Sequence, residues 1–263
     1  MVQTVKAKKY LGQHFLNDLS IAKKIVDALS DDNKNVLEVG PGMGVLTQFI
    51  IPRNGLNFKV VEIDAESVEY LNKNMPALRD DKIISADFLK MDLDSLFDGN
   101  FAVIGNFPYN ISSQIFFKIL EHKDRVPEVV GMLQREVAQR LASPPGKKDY
   151  GILSVLLQAY YDIEYLFTVD ETAFTPPPKV KSGVIRLKRN RVTHLDCNEA
   201  LFKTVIKTTF NQRRKTIWNS IRALSFDHEA VREHPFMKMR PEQLSVSQFV
   251  ELTNIVAQNG NKQ

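Results

Sequence analysis

The segment Asn106-Phe107-Pro108-Tyr109 places three chemically different groups in four consecutive positions. Asn106 offers a carboxamide oxygen. Phe107 precedes proline, which biases it to extended backbone and leaves its carbonyl on a corner. Tyr109 adds a flat aromatic face. Two acceptors beside a ring suit the exocyclic amine of a base. The lone pair of such a nitrogen is delocalised, so the amine is a poor nucleophile. Accepting its N–H bonds pulls the nitrogen towards tetrahedral geometry and aims the lone pair at an electrophile, by positioning and electrostatics. No strong general base is required, because the proton can leave after transfer. Tyr109 can stack on an unpaired base, a contact worth about 1–3 kcal/mol. Phe174, beside the stiff run Pro176-Pro177-Pro178, is read as the second wall of that slot. The plainer alternatives are a tight turn around a buried Tyr109 and a core Phe174.

Three further strand ends carry a second pattern. Glu38-Val39-Gly40-Pro41-Gly42-Met43-Gly44 follows an apolar run and precedes a helix. Glycines there let the backbone approach a ligand, and a helix N-terminus favours anionic groups. No Gly-Lys-Ser/Thr is present, so a P-loop is excluded. Val45 stands where the dinucleotide fingerprint needs its last glycine. Glu62 follows the turn by about 20 positions and can accept hydrogen bonds from a ribose diol. Asp87 ends the third strand and can accept from an adenine amine, with Phe88 covering the ring; a helix N-cap is the other reading of Asp87. Together these point to an adenosine-bearing cofactor.

Those residues need elements to hold them. Helical periodicity is expected over Asp18–Ser30, and a short helix runs from the glycine turn to Ile51. Strands are expected at Asn35–Val39, Phe58–Ile63, Lys82–Ser85, Phe101–Gly105, Glu128–Leu133, Tyr161–Val169 and Gly183–Leu187. Helices are expected at Glu66–Asn74, Ser112–Leu120, Gln134–Leu141 and Ile152–Tyr160. Strands alternating with helices imply an α/β fold with a doubly wound, mostly parallel sheet. Beyond Arg191 strand signals stop, and Glu199–Phe210, Arg213–Leu224 and Ser245–Gln258 read as helices. The expected division is a catalytic, cofactor-binding domain over 1–190 and a small all-helical domain over 191–263.

Bulk properties set outer bounds. The chain has 263 residues and a formal net charge of +4, with basic residues crowded over Lys179–Arg222 and a short cluster at Lys6, Lys8 and Lys9. Such clustering suits a polyanionic partner. The single cysteine, Cys197, permits no internal disulfide and lies in none of the chemical segments, which argues against a cysteine nucleophile. No metal site is expected. Absence of a signal peptide and of a long apolar run leads to the expectation of a cytoplasmic, membrane-free protein.

Gln13-His14-Phe15-Leu16, Glu38–Gly44, Glu62, Asp87, Asn106–Tyr109 and Phe174–Val180 occur in the order found in ribosomal RNA adenine N6-dimethyltransferases. The chain resembles the small-subunit enzymes of the KsgA type over nearly its whole length, including Phe210–Lys215. The resemblance implies a class I, Rossmann-like methyltransferase with a mostly parallel seven-stranded sheet. It implies S-adenosylmethionine (SAM) as cofactor and dimethylation of two adjacent adenosines near the 3′ end of small-subunit (16S) rRNA, on immature subunits. It places Gln13, His14 and Leu16 at the methionine end, with Gly40, Gly42 and Ile63 lining the pocket. Glu62 then holds the ribose, Asp87 and Phe88 the adenine, and Asn106 lies between cofactor and target. His14 stands where many relatives carry Asn, and Phe107 where Leu or Ile is commoner. RNA contacts are expected at Lys8, Lys9, Lys179, Arg213, Arg214 and Lys215, and a monomer is expected. Two rivals remain: a large-subunit adenine methyltransferase of the antibiotic-resistance type, and a non-catalytic RNA-binding assembly factor on the same fold.

Overall fold

Apolar runs near the sheet centre become strands covered on both faces, as parallel strands require. The computed structural model describes residues 5–78 and 81–260. The chain divides into two compact units, one formed by Met1–Gln139 with Asp162–Arg189, the other by Arg140–Tyr161 with Asn190–Gln263.

The first unit opens with β1 (Phe15–Leu16) and α1 (Leu19–Asp27). Asp18 caps α1 by accepting from the Ser20 and Ile21 amides, and Ala22, Ile25 and Val26 form its buried face. Then come β2 (Asn35–Val39), α2 (Thr47–Ile50), β3 (Asn57–Glu62), α3 (Ala65–Asn74) and β4 (Ile83–Ser85). They are followed by β5 (Ala102–Asn106), α4 (Ser112–Glu121), β6 (Glu128–Gln134) and α5 (Arg135–Ala142), whose last turn crosses the division. After the excursion into the second unit the chain returns as β7 (Tyr161–Val169), β8 (Phe174–Thr175) and β9 (Ser182–Arg189).

The seven-stranded sheet has the order β4-β3-β2-β5-β6-β9-β7. Neighbours from β4 to β6 run parallel, and β9 lies antiparallel to β6. From β2 the chain moves outward through β3 to β4, then returns to build β5 and β6 on the other side of β2. That reversal leaves a crevice beyond the carboxyl ends of β2 and β5, where open α/β sheets hold ligands.

A separate two-stranded sheet pairs β1 with β8, Leu16 opposite Phe174. Two-residue strands carry no periodicity, so sequence reading does not find them. Phe174 is 2% exposed and belongs to the core with Leu16. The expected second wall of a base slot is thus corrected, since Phe174 supports Leu16 from within.

The second unit contains α6 (Ile152–Gln158), α7 (Glu199–Asn211), α8 (Ile217–Ile221) and α9 (Val246–Gln258). This unit takes in 140–161 as well as 190–263, whereas the expected division put 140–161 in the first domain. Leu153, Ser154, Val155, Leu156 and Leu157 are all buried, and α6 packs on α7 and α9. A helix apolar on every side needs a helical surround, which explains the transfer. The expected helix Arg213–Leu224 is also shorter. Arg213, Arg214 and Lys215 lie on a turn in which the Lys215 amide donates to the Gln212 carbonyl at 2.7 Å. Thr216 is extended (φ −69°, ψ 161°), so α8 starts only after it. No helix among the described residues is long and apolar enough to cross a membrane.

At the sheet centre Gly105 of β5 faces Gly131 of β6. A Cβ on Gly131 would come within 2.4 Å of the Phe107 ring, and one on Gly105 within 2.9 Å. The two glycines therefore make the slot that receives this ring. Gly131→Ala should destabilise the fold by about 1–3 kcal/mol through overpacking. Urea unfolding midpoints for wild type and variant would measure it, and equal midpoints would contradict the slot.

Candidate active site

Beyond the carboxyl ends of β2 and β5 lies a cavity of about 300 Å³. Its lining comes from the glycine turn, the ends of β3 and β4, the corner after β5, and the segment 10–16. Every residue expected to bind the cofactor lines it: Gln13, His14, Leu16, Gly40, Gly42, Glu62, Ile63, Asp87, Phe88 and Asn106. Phe107, Pro108 and Tyr109 do as well.

The glycine turn is shaped to expose backbone. Gly40, Gly42 and Gly44 have φ of 68°, 56° and 79°, a region that side chains other than glycine rarely adopt. A Cβ on Gly40 would meet nothing within 4 Å, so its backbone is open to an approaching group. Glu62, only 4% exposed, accepts from the Gly42 amide at 3.0 Å and the Asp64 amide at 2.9 Å. These amides hold the carboxylate at the cavity wall, where its lone pairs can also accept from a ligand donor. Asp87 accepts from the Leu89 amide at 3.0 Å, which folds a tight turn and not a helix, with the buried Phe88 beside it. A carboxylate with two oxygens available, a second acid and bare backbone suit a nucleoside with a diol and an amine.

Burial sets the protonation of the carboxyls. Glu38 is 1% exposed and receives the Thr47 hydroxyl at 2.6 Å. Desolvation dominates and pushes its pKa up to about 8. Glu62 is also raised, chiefly by burial, against the backbone donors that hold its anion. At Asp64 burial again opposes ionisation, but Lys8, Gln13 and Ser67 together outweigh it and hold the pKa below the usual range.

The segment 8–16 is strapped across this wall. The Lys8 ammonium pairs with Asp64 and lies 3.3 Å from Glu66, while Gln13 donates to Asp64 at 3.2 Å. His14 Nδ1 donates to the Pro176 carbonyl at 2.8 Å. Its ring stacks on Tyr109 with centroids 5.4 Å apart. The His14 carbonyl accepts from Asn106 Nδ2 at 2.9 Å. That bond uses the amide nitrogen of Asn106 and leaves its oxygen as the group presented. Tyr109 shares a hydrogen with Ser182 at 2.5 Å, so the ring is pinned at its hydroxyl. Phe107, 1% exposed, sits in its glycine slot edge-on to Phe116, which fixes the corner through the side chain.

A family model for ribosomal RNA adenine dimethylase matches residues 4–258. The chain belongs to that family. It is 60% identical to ribosomal RNA small subunit methyltransferase A of Phocaeicola vulgatus over 254 residues, covering 96% of this chain and 90% of that one. With the protein of the same name from Parabacteroides distasonis it shares 59% over 264 residues, covering 100% and 98%. Among solved structures, a dimethyladenosine transferase from Plasmodium falciparum superposes with a TM-score of 0.77 at 23% identity, over 94% of this chain and 98% of that one. This likeness bears on fold alone. The 23S rRNA methyltransferase ErmE gives 0.66 at 27% identity, over 91% and 99%. The class I methyltransferase fold that the motifs implied is thus the fold observed.

The expected RNA contacts divide. Lys9, Lys179, Arg214 and Lys215 are exposed. Lys8 is committed to Asp64, and Arg213 donates to the Lys148 carbonyl at 2.6 Å. A basic cluster does not reveal that one member answers a buried acid. Sequence reading also passed over Tyr10, Leu11, Gly12 and Asn110 of the lining, and Ser182 behind Tyr109. The residue type at Gly12 is what the sequence offers here, and the structure gives its reason in a φ of 67°.

Glu38 yields a pH prediction. Its pKa rises from the usual 4.5 to about 8 on folding, so folding takes up a proton and stability falls as pH rises across that window. Glu38→Gln should flatten that decline by up to about 1.4 kcal/mol per pH unit. Glu62 shifts in the same direction and leaves part of the slope. Thermal melts at pH 5, 6.5 and 8 should show the variant gaining on wild type as pH rises. A constant gap between them would refute this assignment.

Proposed function

We propose that the chain transfers methyl groups from SAM to the N6 amines of two adjacent adenosines near the 3′ end of small-subunit rRNA. Family membership and relatives named small-subunit methyltransferases support the substrate class. The observation that supports the chemistry is that the Asn106 amide nitrogen is engaged by the His14 carbonyl, so that its oxygen is the group left to accept from a target amine.

When bound, SAM supplies an electrophilic methyl group. Glu62 holds the ribose hydroxyls, Asp87 accepts from the cofactor adenine, and Gly40 and Gly42 lend backbone to the methionine end with Gln13, His14 and Leu16. Ile63 and Phe88 cover its apolar surface. Asn106 Oδ1 and the Phe107 carbonyl accept the N–H bonds of the target amine and orient its lone pair. Pro108 keeps that carbonyl extended, and Tyr109 supports the flipped base. The first compact unit does this work. The second, with Arg214 and Lys215, docks RNA, aided by Lys9 and Lys179. Immature subunits are the substrate, reached in the cytoplasm by a monomer.

Labelled SAM offered with immature small subunits, or with naked large-subunit rRNA, tests the assignment. Label should enter the small-subunit RNA. Label confined to large-subunit RNA would transfer the chain to the rival activity. Asn106→Ala should lower kcat by about two to three orders of magnitude. RNA affinity, measured by filter binding, should stay within about twofold.

A further inference from the structure

Tyr10 is 76% exposed, more than Leu19, Ile63 or Val180, the other large apolar side chains left open among the described residues. It lines the same cavity as Asn106 and Tyr109. Its backbone is nevertheless clamped. The Leu11 amide donates to the Lys8 carbonyl at 3.0 Å and the Gly12 amide to Lys9 at 3.1 Å. Gly12 has a φ of 67°, a backbone conformation that other side chains rarely adopt. Lys8 and Gln13, on either side, both hold Asp64. An aromatic ring is therefore presented to solvent at the cavity rim by a fixed piece of chain.

We propose that Tyr10 is a stacking site for the nucleobase next to the one in the reaction cavity. The inference rests on the adenine-amine reading above. A base that leaves its strand to reach Asn106 takes its stacking contact away from its neighbour. A rim aromatic restores that contact and lowers the cost of extrusion, and it does so for any base because each has a π-face. Tyr109 does not serve this neighbour, because in the reading above it supports the extruded base itself, with its hydroxyl held at Ser182. Lys6 and Lys9, both exposed, precede Tyr10 in the chain and suit the phosphates of the same strand.

The test compares wild type, Tyr10→Ala, Tyr10→Phe and Tyr10→Trp. Methylation of immature small subunits gives KM and kcat, and calorimetry gives SAM affinity. Tyr10→Ala should raise KM for subunits about tenfold with kcat and SAM affinity unchanged, whereas Phe and Trp keep the wild-type KM. A short RNA with 2-aminopurine beside the target adenosine should lose fluorescence on wild-type protein and keep it on Tyr10→Ala. An unchanged KM in Tyr10→Ala, an equal loss in Tyr10→Phe, or 2-aminopurine indifferent to Tyr10 would each overturn the proposal. Wild type that transfers nothing to small subunits would instead overturn the functional reading, and the fluorescence comparison would still decide the stacking site.

Discussion

The near wall of the cavity depends on how one buried negative charge is answered. Asp64 is 2% exposed and caps α3, two residues after Glu62. Burial alone would favour its neutral form. Lys8 and Gln13 reverse that preference, and both come from the strap that carries His14 and Leu16. Ionising Asp64 and seating the strap are thus one event. Through the His14 carbonyl the same event orients the Asn106 amide. A charge in the second layer of the site thereby sets the direction of a group in the first.

Three carboxyls along the same strand ends meet different fates for one reason. Glu38 has the Thr47 hydroxyl as donor, and burial pushes its pKa up to about 8. Glu62 has backbone amides, which partly offset desolvation. Asp64 has an ammonium and ionises readily. A cationic ligand in the cavity favours the ionised forms of the first two, so cation affinity and proton affinity there are linked and opposed. The acidic strand ends do more than offer hydrogen bonds. They make the cavity a place where positive charge replaces protons.

The parts of this arrangement legible in the sequence are those fixed by local chain geometry. Strand ends at Val39, Glu62 and Ser85, the glycine turn, and the Asn106–Tyr109 corner are set by periodicity, by glycine and by proline. What stayed hidden is set by partners distant in the chain. Phe174 reads as a wall of the base slot or as a core residue, and a two-residue pairing with β1 places it in the core. Lys8 reads as one of a basic cluster until the burial of Asp64, 56 positions away, is known. Residues 140–161 follow a strand and precede one, so alternation assigns them to the sheet unit. Only their all-round apolar burial shows that they complete a helical one. Arg213–Lys215 carried enough helical propensity to be read as helix, and the extended Thr216 interrupts it.

The chemistry asked of the cavity is the same for any adenine amine. Two oxygens must accept N–H bonds, a ring must support the base, and an electrophilic methyl must sit opposite. A site built to that specification cannot distinguish an adenosine in one RNA from an adenosine in another. ErmE, named for 23S rRNA, shares this fold at a TM-score of 0.66, which fits a common cavity serving different RNAs. Selectivity must then come from surfaces that touch the RNA away from the amine, where shape and phosphate spacing differ. Those surfaces are free to vary because they bear none of the cavity's constraints. The conformations at Gly40 and Gly42, the Gly105–Gly131 slot and the Asp64 lock leave little room for change. The exposed rim and the basic turn of the second unit can change without disturbing them.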